Sequence, residues 1–406
     1  MLDEYYLCEF CLSQNELQLE IKQRGVQIET CKICGSHDGK ALLASDVRVR
    51  RIFRALIRLN FSEWDYNHHI GGSSLQGLIF NSKAIFNLPA DACESSFEDV
   101  FLTMEETVGW YPDSEDDITL GGGYWDGGIL DGLHNRRDHN VETLVRNALE
   151  LNSFETESNA KGLIALLQPD IFYIIPAGTE FFRGRVGVAS RLRKEQHEFH
   201  DAPNFVYLPY SGKQIDRPPM HLATEGRFNR TRTSVLYLAS DAQTAVAELR
   251  PHPGHLVSTA KFKARRDINV ANFANQDIRN FLNDKRLEKL RTILSIAEVL
   301  NVPIQPEHRY IYSVTQLLAD AIRTEGFSGI MFNSSVGEGV NLTCFESDAF
   351  EAVESSECVM EVISLQYRIA EMPTVAVNHE HQELIKDEDS PFATLLYGMT
   401  RRKKQV

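Results

Sequence analysis

Four cysteines near the start of the chain have the types and spacing for metal chemistry. Cys8 and Cys11 form one CxxC pair, Cys31 and Cys34 a second, and 19 residues separate them. Two such knuckles bring four thiolates to the corners of a tetrahedron around one Zn2+. Gly35, directly after the second knuckle, permits the tight turn such a site needs. A site filled by four sulfurs has no open position for substrate, so its metal is structural. Glu248 is a second candidate. It precedes apolar Leu249 in a helical pattern, where a carboxylate is either paired or has a task. His134-Asn135-Arg136-Arg137-Asp138-His139 is a polar cluster that reads as loop composition rather than an acid–base pair. Arg250-Pro251-His252-Pro253-Gly254-His255 spaces an arginine and a histidine, but its two prolines and glycine forbid a helix interior.

These residues need elements to position them. Glu248 belongs to a stretch of three successive devices. Gly226-Arg227-Phe228-Asn229 is a tight polar turn. Ser234 to Ala239 is an apolar run short enough to be one buried strand. Ser240 or Asp241 then caps a helix with Ala242, Ala245, Val246 and Leu249 on its apolar face and Glu248 inside it. Further strands are expected at Ile171–Ile175, from Phe181, at His255–Ala264, Ile268–Phe273, Ile330–Asn333, Asn341–Phe345 and Val359–Ile369. Helices are expected at Ser45–Asn60, Glu94–Gly109, Asn140–Leu151, Asp277–Leu300 and Tyr312–Thr324, the last capped near Ser313 and stopped by Gly326. In the first, Val47, Ile52, Phe53, Leu56, Ile57 and Leu59 make an apolar stripe. Arg48, Arg50, Arg51, Arg54 and Arg58 read as a solvated face. Gly121 to Gly128 is too glycine-rich for regular structure. Glu155 to Asn159 reads as a linker. Ser190 to Leu222 is a long polar loop whose end, Pro218-Pro219-Met220, is expected to border a ligand cleft. Cys93, Cys344 and Cys358 read as core packing.

Taken in order, several of these pieces resemble one family. Phe181-Phe182-Arg183-Gly184-Arg185, Gly226-Arg227-Phe228-Asn229, Leu236-Tyr237-Leu238-Ala239 and the helix ending Ala247-Glu248-Leu249 resemble the RES domain, named for Arg, Glu and Ser. Gly326-Phe327-Ser328-Gly329-Ile330, Ser334-Ser335 and Asn341-Leu342-Thr343-Cys344-Phe345 continue the resemblance. Asn333 stands where family members often have proline, which leaves Ser334 and Ser335 as alternatives for the site serine. The family includes bacterial toxin–antitoxin proteins that destroy NAD+. The resemblance implies an α+β core similar to ADP-ribosyltransferases and NAD+ as substrate.

Cleaving NAD+ at the nicotinamide–ribose bond releases a neutral leaving group, so no general acid is required. The ribose passes through an oxocarbenium-like state. The resemblance assigns catalytic roles to Arg183, Arg227, Tyr237, Glu248 and Ser334. It assigns ligand binding to Arg183, Arg227, Asn229, Tyr237, Ser335 and Asn341. Arginine suits a diphosphate because its fork donates two parallel bonds. Tyr237 can stack on a ring, Glu248 can stabilise the cationic sugar, and Ser334 can hydrogen-bond a phosphate or amide. Their structural alternatives are pairing of Arg183 or Arg227 with Glu180 or Glu225, core packing of Tyr237, and a turn at Ser334.

The chain has 406 residues, and 42 lysines and arginines against 57 acidic residues leave a net charge of −15. That balance opposes broad binding to nucleic acid or anionic membrane. With no signal peptide and no apolar run near about 18 residues, a soluble cytoplasmic protein is expected. The expected fold class is α+β: a zinc-ribbon segment over 1–42, a mainly helical domain over 43–159, a RES domain over 160–371 and a mobile polar tail over 372–406. By position and helical character, the second resembles the HEPN-like domains that accompany some RES proteins, without the Arg–His motif of HEPN ribonucleases. The expected function is NAD+ phosphorolysis or hydrolysis in a toxin or defence effector. Inorganic phosphate is a candidate co-substrate, and an antitoxin or inhibitory protein, or a second copy of the chain, a candidate partner. The alternatives are a mono-ADP-ribosyltransferase acting on a protein or nucleotide, and a non-enzymatic zinc-dependent nucleic-acid binder.

Overall fold

The computed structural model of the chain describes residues 6–60, 86–87, 138–151, 153–193, 205–366, 369, 392 and 395. The expected helix over 94–109, the glycine-rich loop, Cys93, residues 134–137, the side chains of Ile57, Arg58 and Leu59, and nearly all of the tail lie outside the described residues. The chain divides into two compact units. One is residues 1–139 with 276–295, the other 140–275 with 296–406.

In the first unit, β1 (Tyr6–Cys8), β2 (Val26–Gln27) and β3 (Lys40–Leu43) form a small antiparallel sheet with β3 in the centre. Between the cysteine pairs runs α1 (Asn15–Arg24), which buries Leu17 and Ile21. α2 (Val47–Asn60) follows, with the Asp46 carboxylate accepting from the Arg48 N–H at 2.8 Å as its cap. Val49, Ile52, Phe53 and Leu56 form its buried stripe. Two expectations fail here. Val47 is exposed because it opens the helix ahead of the stripe, and Arg54 is buried and partnered rather than solvated. Glu20 on α1 is buried and meets Arg24 at 2.9 Å, Arg48 at 2.8 Å and Arg279 at 3.8 Å. A carboxylate out of water needs such partners.

The second unit opens with α3 (His139–Glu150) and α4 (Ser153–Ile171). α4 absorbs the expected linker. Glu155 to Asn159 is its polar first part, and the burial of Thr156, Ala160, Ile164, Leu167 and Ile171 runs through it at helical spacing. The strands that follow are β4 (Phe172–Ile175), β5 (Glu180–Val186), β6 (Ser190–Arg193), β7 (Phe205–Leu208) and β8 (Leu236–Ala239). After α5 (Ala242–Ala247) come β9 (Leu256–Ala264) and β10 (Ile268–Asn272). α6 (Asp284–Asn301), whose residues 284–295 belong to the first unit, and α7 (Tyr312–Thr324) precede β11 (Gly329–Asn333), β12 (Val340–Cys344), β13 (Phe350–Ala352) and β14 (Cys358–Glu361) in the chain. One sheet runs β13-β9-β5-β8-β12-β11-β10-β4, with β14 also on β9. Its pairs are antiparallel except β10 with β11. The core joins Phe181, Leu236, Leu238, Phe262, Val270 and Leu342.

Four further expectations change. The long loop after Ser190 holds the β6–β7 hairpin, whose strands pair from Ser190 with Leu208 to Arg193 with Phe205. α6 starts at Asp284, because a short 3-10 turn over Ile278–Asn280, capped by Asp277, comes first. α7 has no serine cap. It continues a 3-10 segment, Pro306–Ile311, and the Tyr312 N–H bonds the Arg309 and Tyr310 carbonyls. Cys358 is exposed, on the outer strand β14, with Sγ 3.0 Å from Thr259 Oγ1.

Candidate active site and candidate metal centre

A cleft of about 550 Å3 opens in the second unit. β5 contributes Phe182, Arg183 and Gly184, and β8 contributes Tyr237. Along β8, Leu236 and Leu238 join the core and Tyr237 between them turns to the other side, the period-2 alternation of a strand. Glu248 is exposed and lines the cleft just beyond α5. The helix is shorter than expected and ends at Ala247, with Glu248 as its C-cap. Pro251 has no N–H to return to the Ala247 carbonyl and cannot continue the helix, and Arg250 before it takes a left-handed φ of 48°. Leu249 is exposed in consequence. The other end of α5 is capped as expected, with Asp241 Oδ1 accepting from the Thr244 N–H at 2.7 Å.

Glu248 is held through one oxygen. Oε1 accepts from Ser334 Oγ at 2.6 Å and from Asn341 Nδ2 at 2.6 Å. Ser334 Oγ in turn accepts from the N–H groups of Val336 at 3.2 Å and Gly337 at 2.9 Å. The structure thus brings Glu248, Ser334 and Asn341 together. It gives Ser334, rather than Ser335, the contact with the carboxylate.

The other predicted residues form a second group. Tyr237 donates to Asn229 Oδ1 at 2.7 Å and accepts from the Phe228 N–H at 3.1 Å. Burial pushes its hydroxyl well above the ordinary tyrosine range. The turn that carries Arg227 and Asn229 is pinned from α7. Gln316 Nε2 donates to the carbonyls of Gly226 at 2.9 Å and Asn229 at 3.2 Å, and Thr315 Oγ1 donates to the Arg227 carbonyl at 2.5 Å. Asn229 itself is buried and does not line the cleft.

Arg183 pairs with backbone rather than with Glu180. Its Nε donates to the Ile215 carbonyl at 2.6 Å, Nη1 to that of Tyr237 at 3.1 Å and Nη2 to that of Asp216 at 3.4 Å. Burial lowers its pKa to about 10, which leaves it a cation at neutral pH. Arg227 does not take Glu225 as its partner; its Nη2 donates to the Val302 carbonyl at 2.6 Å. Glu180 bonds Lys261 at 2.9 Å, and Glu225 accepts from Gln316 at 3.0 Å. Pro218, Pro219 and Met220 do not border this cleft; they line a second hollow of about 970 Å3 with Arg232, Arg323 and Phe345.

One wall of the cleft escaped sequence reasoning. Ile304, Arg309 and Tyr312 line it, as does Arg250. Nothing periodic or glycine-rich marks residues 302–311. The available signal was an arginine and a tyrosine just ahead of a helix, in a proline-bearing connection.

In the first unit, the Sγ atoms of Cys8, Cys11, Cys31 and Cys34 all lie within 4.8 Å of one another. A Zn–S bond of about 2.3 Å sets tetrahedral sulfurs about 3.8 Å apart, so the donor set fits such an ion. Four crowded thiols cannot ionise independently. Hydrogen bonding to Cys31 drives the Cys11 thiol strongly up, while hydrogen bonds from Cys11 hold Cys31 strongly down and Cys34 down to about 6. A cation would relieve that conflict by taking all four as thiolates.

Comparison with known proteins places these sites in context. The RES domain family model matches residues 197–368, a span that includes Arg227, Tyr237, Glu248, Ser334 and Asn341 and begins after Arg183. None of the curated proteins matches the chain. Among solved structures, the crystal structure of the M. tuberculosis MbcT-MbcA toxin-antitoxin complex aligns with 10% identity and a TM-score of 0.25. The alignment covers 56% of this chain and 93% of that one.

Proposed function

We propose that the chain cleaves the nicotinamide–ribose bond of NAD+, with phosphate or water as acceptor, as a toxin or defence effector. The observation that carries this reading is the division of labour at Glu248. Ser334 and Asn341 hold Oε1, while Oε2 makes no hydrogen bond among the described residues. A carboxylate fixed at one oxygen and open at the other, at the edge of a cleft, suits a sugar that develops positive charge. The matched RES domain supports the same reading. In the reaction the C–N bond breaks with its electron pair going to nicotinamide, which leaves neutral. A C–O bond forms to phosphate or to water, and water releases its proton to solvent. Phe182, Tyr237, Phe332 and Tyr312 supply aromatic surface for a flat ring.

Zn2+ in the four-cysteine site completes the proposal as a structural ion, closed to substrate. The N-terminal region is read as a restraint on the enzyme, in the role a separate antitoxin plays elsewhere in the family.

The test is nicotinamide release from NAD+ by the purified full chain, with and without phosphate, beside Glu248→Gln. Release by the wild type and a loss of about 10²-fold or more in the variant is the expected result. ADP-ribose 1″-phosphate formed only with phosphate identifies a phosphorylase, and free ADP-ribose a hydrolase. Label from NAD+ that ends on protein or nucleotide instead makes the chain a transferase. No nicotinamide under any condition would sink the proposal.

A further inference from the structure

We infer that Arg309, on the wall formed by residues 302–312, is the residue that takes the diphosphate of the dinucleotide. The inference rests on the NAD+ reading and deepens it. The cationic side chains lining the cleft are Arg183, Arg227, Arg250 and Arg309. A diphosphate needs a guanidinium with free N–H groups facing it, because the strength of the contact lies in two parallel charge-assisted bonds. Three of the four arginines have spent donors on the protein. Arg183 bonds three backbone carbonyls. Arg227 donates to the Val302 carbonyl at 2.6 Å, and Arg250 Nη1 donates to the Ile304 carbonyl at 3.1 Å. Arg309 lines the same cleft, is exposed, and its guanidinium has no hydrogen bond or ion pair among the described residues.

The two bonds at Val302 and Ile304 give Arg227 and Arg250 a positioning task. They grip the chain just ahead of the 3-10 segment Pro306–Ile311 that carries Arg309. On the far side, the Tyr312 N–H closes on the carbonyls of Arg309 and Tyr310. The backbone on both sides of Arg309 is therefore fixed while its side chain is free to reach. Presenting a mobile fork from an anchored backbone keeps the entropy cost of binding to one side chain.

The test measures binding of ADP-ribose and of adenosine to the full chain by calorimetry, beside nicotinamide release from NAD+. ADP-ribose keeps the diphosphate and has no nicotinamide bond to break; adenosine lacks the diphosphate. Arg309→Ala should weaken ADP-ribose by about tenfold to a hundredfold and leave adenosine unchanged. Arg309→Lys should fall between, because a point charge replaces a fork. In turnover, Arg309→Ala should raise the KM for NAD+ more than it lowers kcat. The inference is overturned if Arg309→Ala binds ADP-ribose like the wild type, or loses ADP-ribose and adenosine equally, even where nicotinamide release persists. If ADP-ribose binding depends on Arg309 but no nicotinamide is released, the cleavage reading falls and the diphosphate assignment stands.

Discussion

A carboxylate at the end of a short helix would ordinarily swing in solvent. Glu248 does not, because Ser334 and Asn341 both donate to the same oxygen. Each donor is itself placed by structure: Asn341 sits in β12, opposite Ala239 of β8, and Ser334 Oγ accepts two backbone N–H groups of the following turn. Ser334→Ala or Asn341→Ala should therefore lower kcat by about 10-fold to 100-fold, the usual effect of removing a group that orients a reacting one. Ser335→Ala should retain more activity than Ser334→Ala. A positioning role makes a sharper demand. On the background of Glu248→Gln, the Ser334→Ala change should cost little more, because the two act as a unit. Kinetics of the single and double variants decide it, and additive losses would mean that Ser334 works on the substrate independently.

At the scale of elements, α5 is a lever for Glu248. Its start is set by Asp241, whose carboxylate accepts from the Thr244 N–H and from Thr244 Oγ1 at 2.8 Å. Partial burial raises the Asp241 carboxyl, but these bonds and that from Ser240 outweigh it and hold the group below the ordinary Asp range. A depressed folded value means that the cap stabilises the fold fully above about pH 3.9 and is lost as pH falls through the lower folded value. Asp241→Ala should cost about 1 kcal/mol and remove that acid-range dependence, as a comparison of melting curves against pH would show. Packing sets the other coordinate of α5. A Cβ on Gly184 would meet the Ala245 carbonyl oxygen at 2.9 Å and Leu249 Cδ1 at 3.0 Å. Gly184→Ala should displace α5 and lower kcat more than it lowers Tm. A variant with wild-type kcat would show that α5 tolerates the shift. The same elements mark what a sequence can show. The strands around Tyr237 and Asn341 were legible because their apolar runs are short and buried. Where α5 ends was not, because Arg250 before Pro251 decides it and the helical pattern runs on past that point. The wall at 302–312 was not legible either, since the carbonyls of Val302 and Ile304 are held by arginines from distant positions in the chain. Gln316 and Thr315 look like helix surface until the turn they pin is in place.

At the scale of the molecule, the compact units do not follow the chain order. Residues 276–295 fall within the span that matches the RES domain, yet they form one compact unit with residues 1–139. In that unit Ile278, Phe281, Leu287, Leu290 and Ile293 are buried, and Arg279 reaches the buried Glu20. Asp138 joins the same contacts, with Thr292 Oγ1 donating to its Oδ2 at 2.7 Å and its N–H donating to Ser295 Oγ at 2.9 Å. A small metal-held segment depends on its ion for folding. Cys31→Ser should therefore abolish bound zinc, expected at about one per chain for a four-thiolate site, and lower Tm. Truncation is the stricter test. A fragment of residues 160–406 keeps the apolar side chains of 276–295 but loses Glu20, α1 and α2, so surface that the full chain buries would meet water. Such patches drive association. The fragment should melt lower than the full chain and self-associate in size-exclusion chromatography with light scattering. A lower activity in that fragment would reflect damage to 276–295 and not the removal of a restraint. A monomeric fragment with the full chain's Tm would show that residues 276–295 need no N-terminal partner. Its activity relative to the full chain would then report directly on restraint by the N-terminal region.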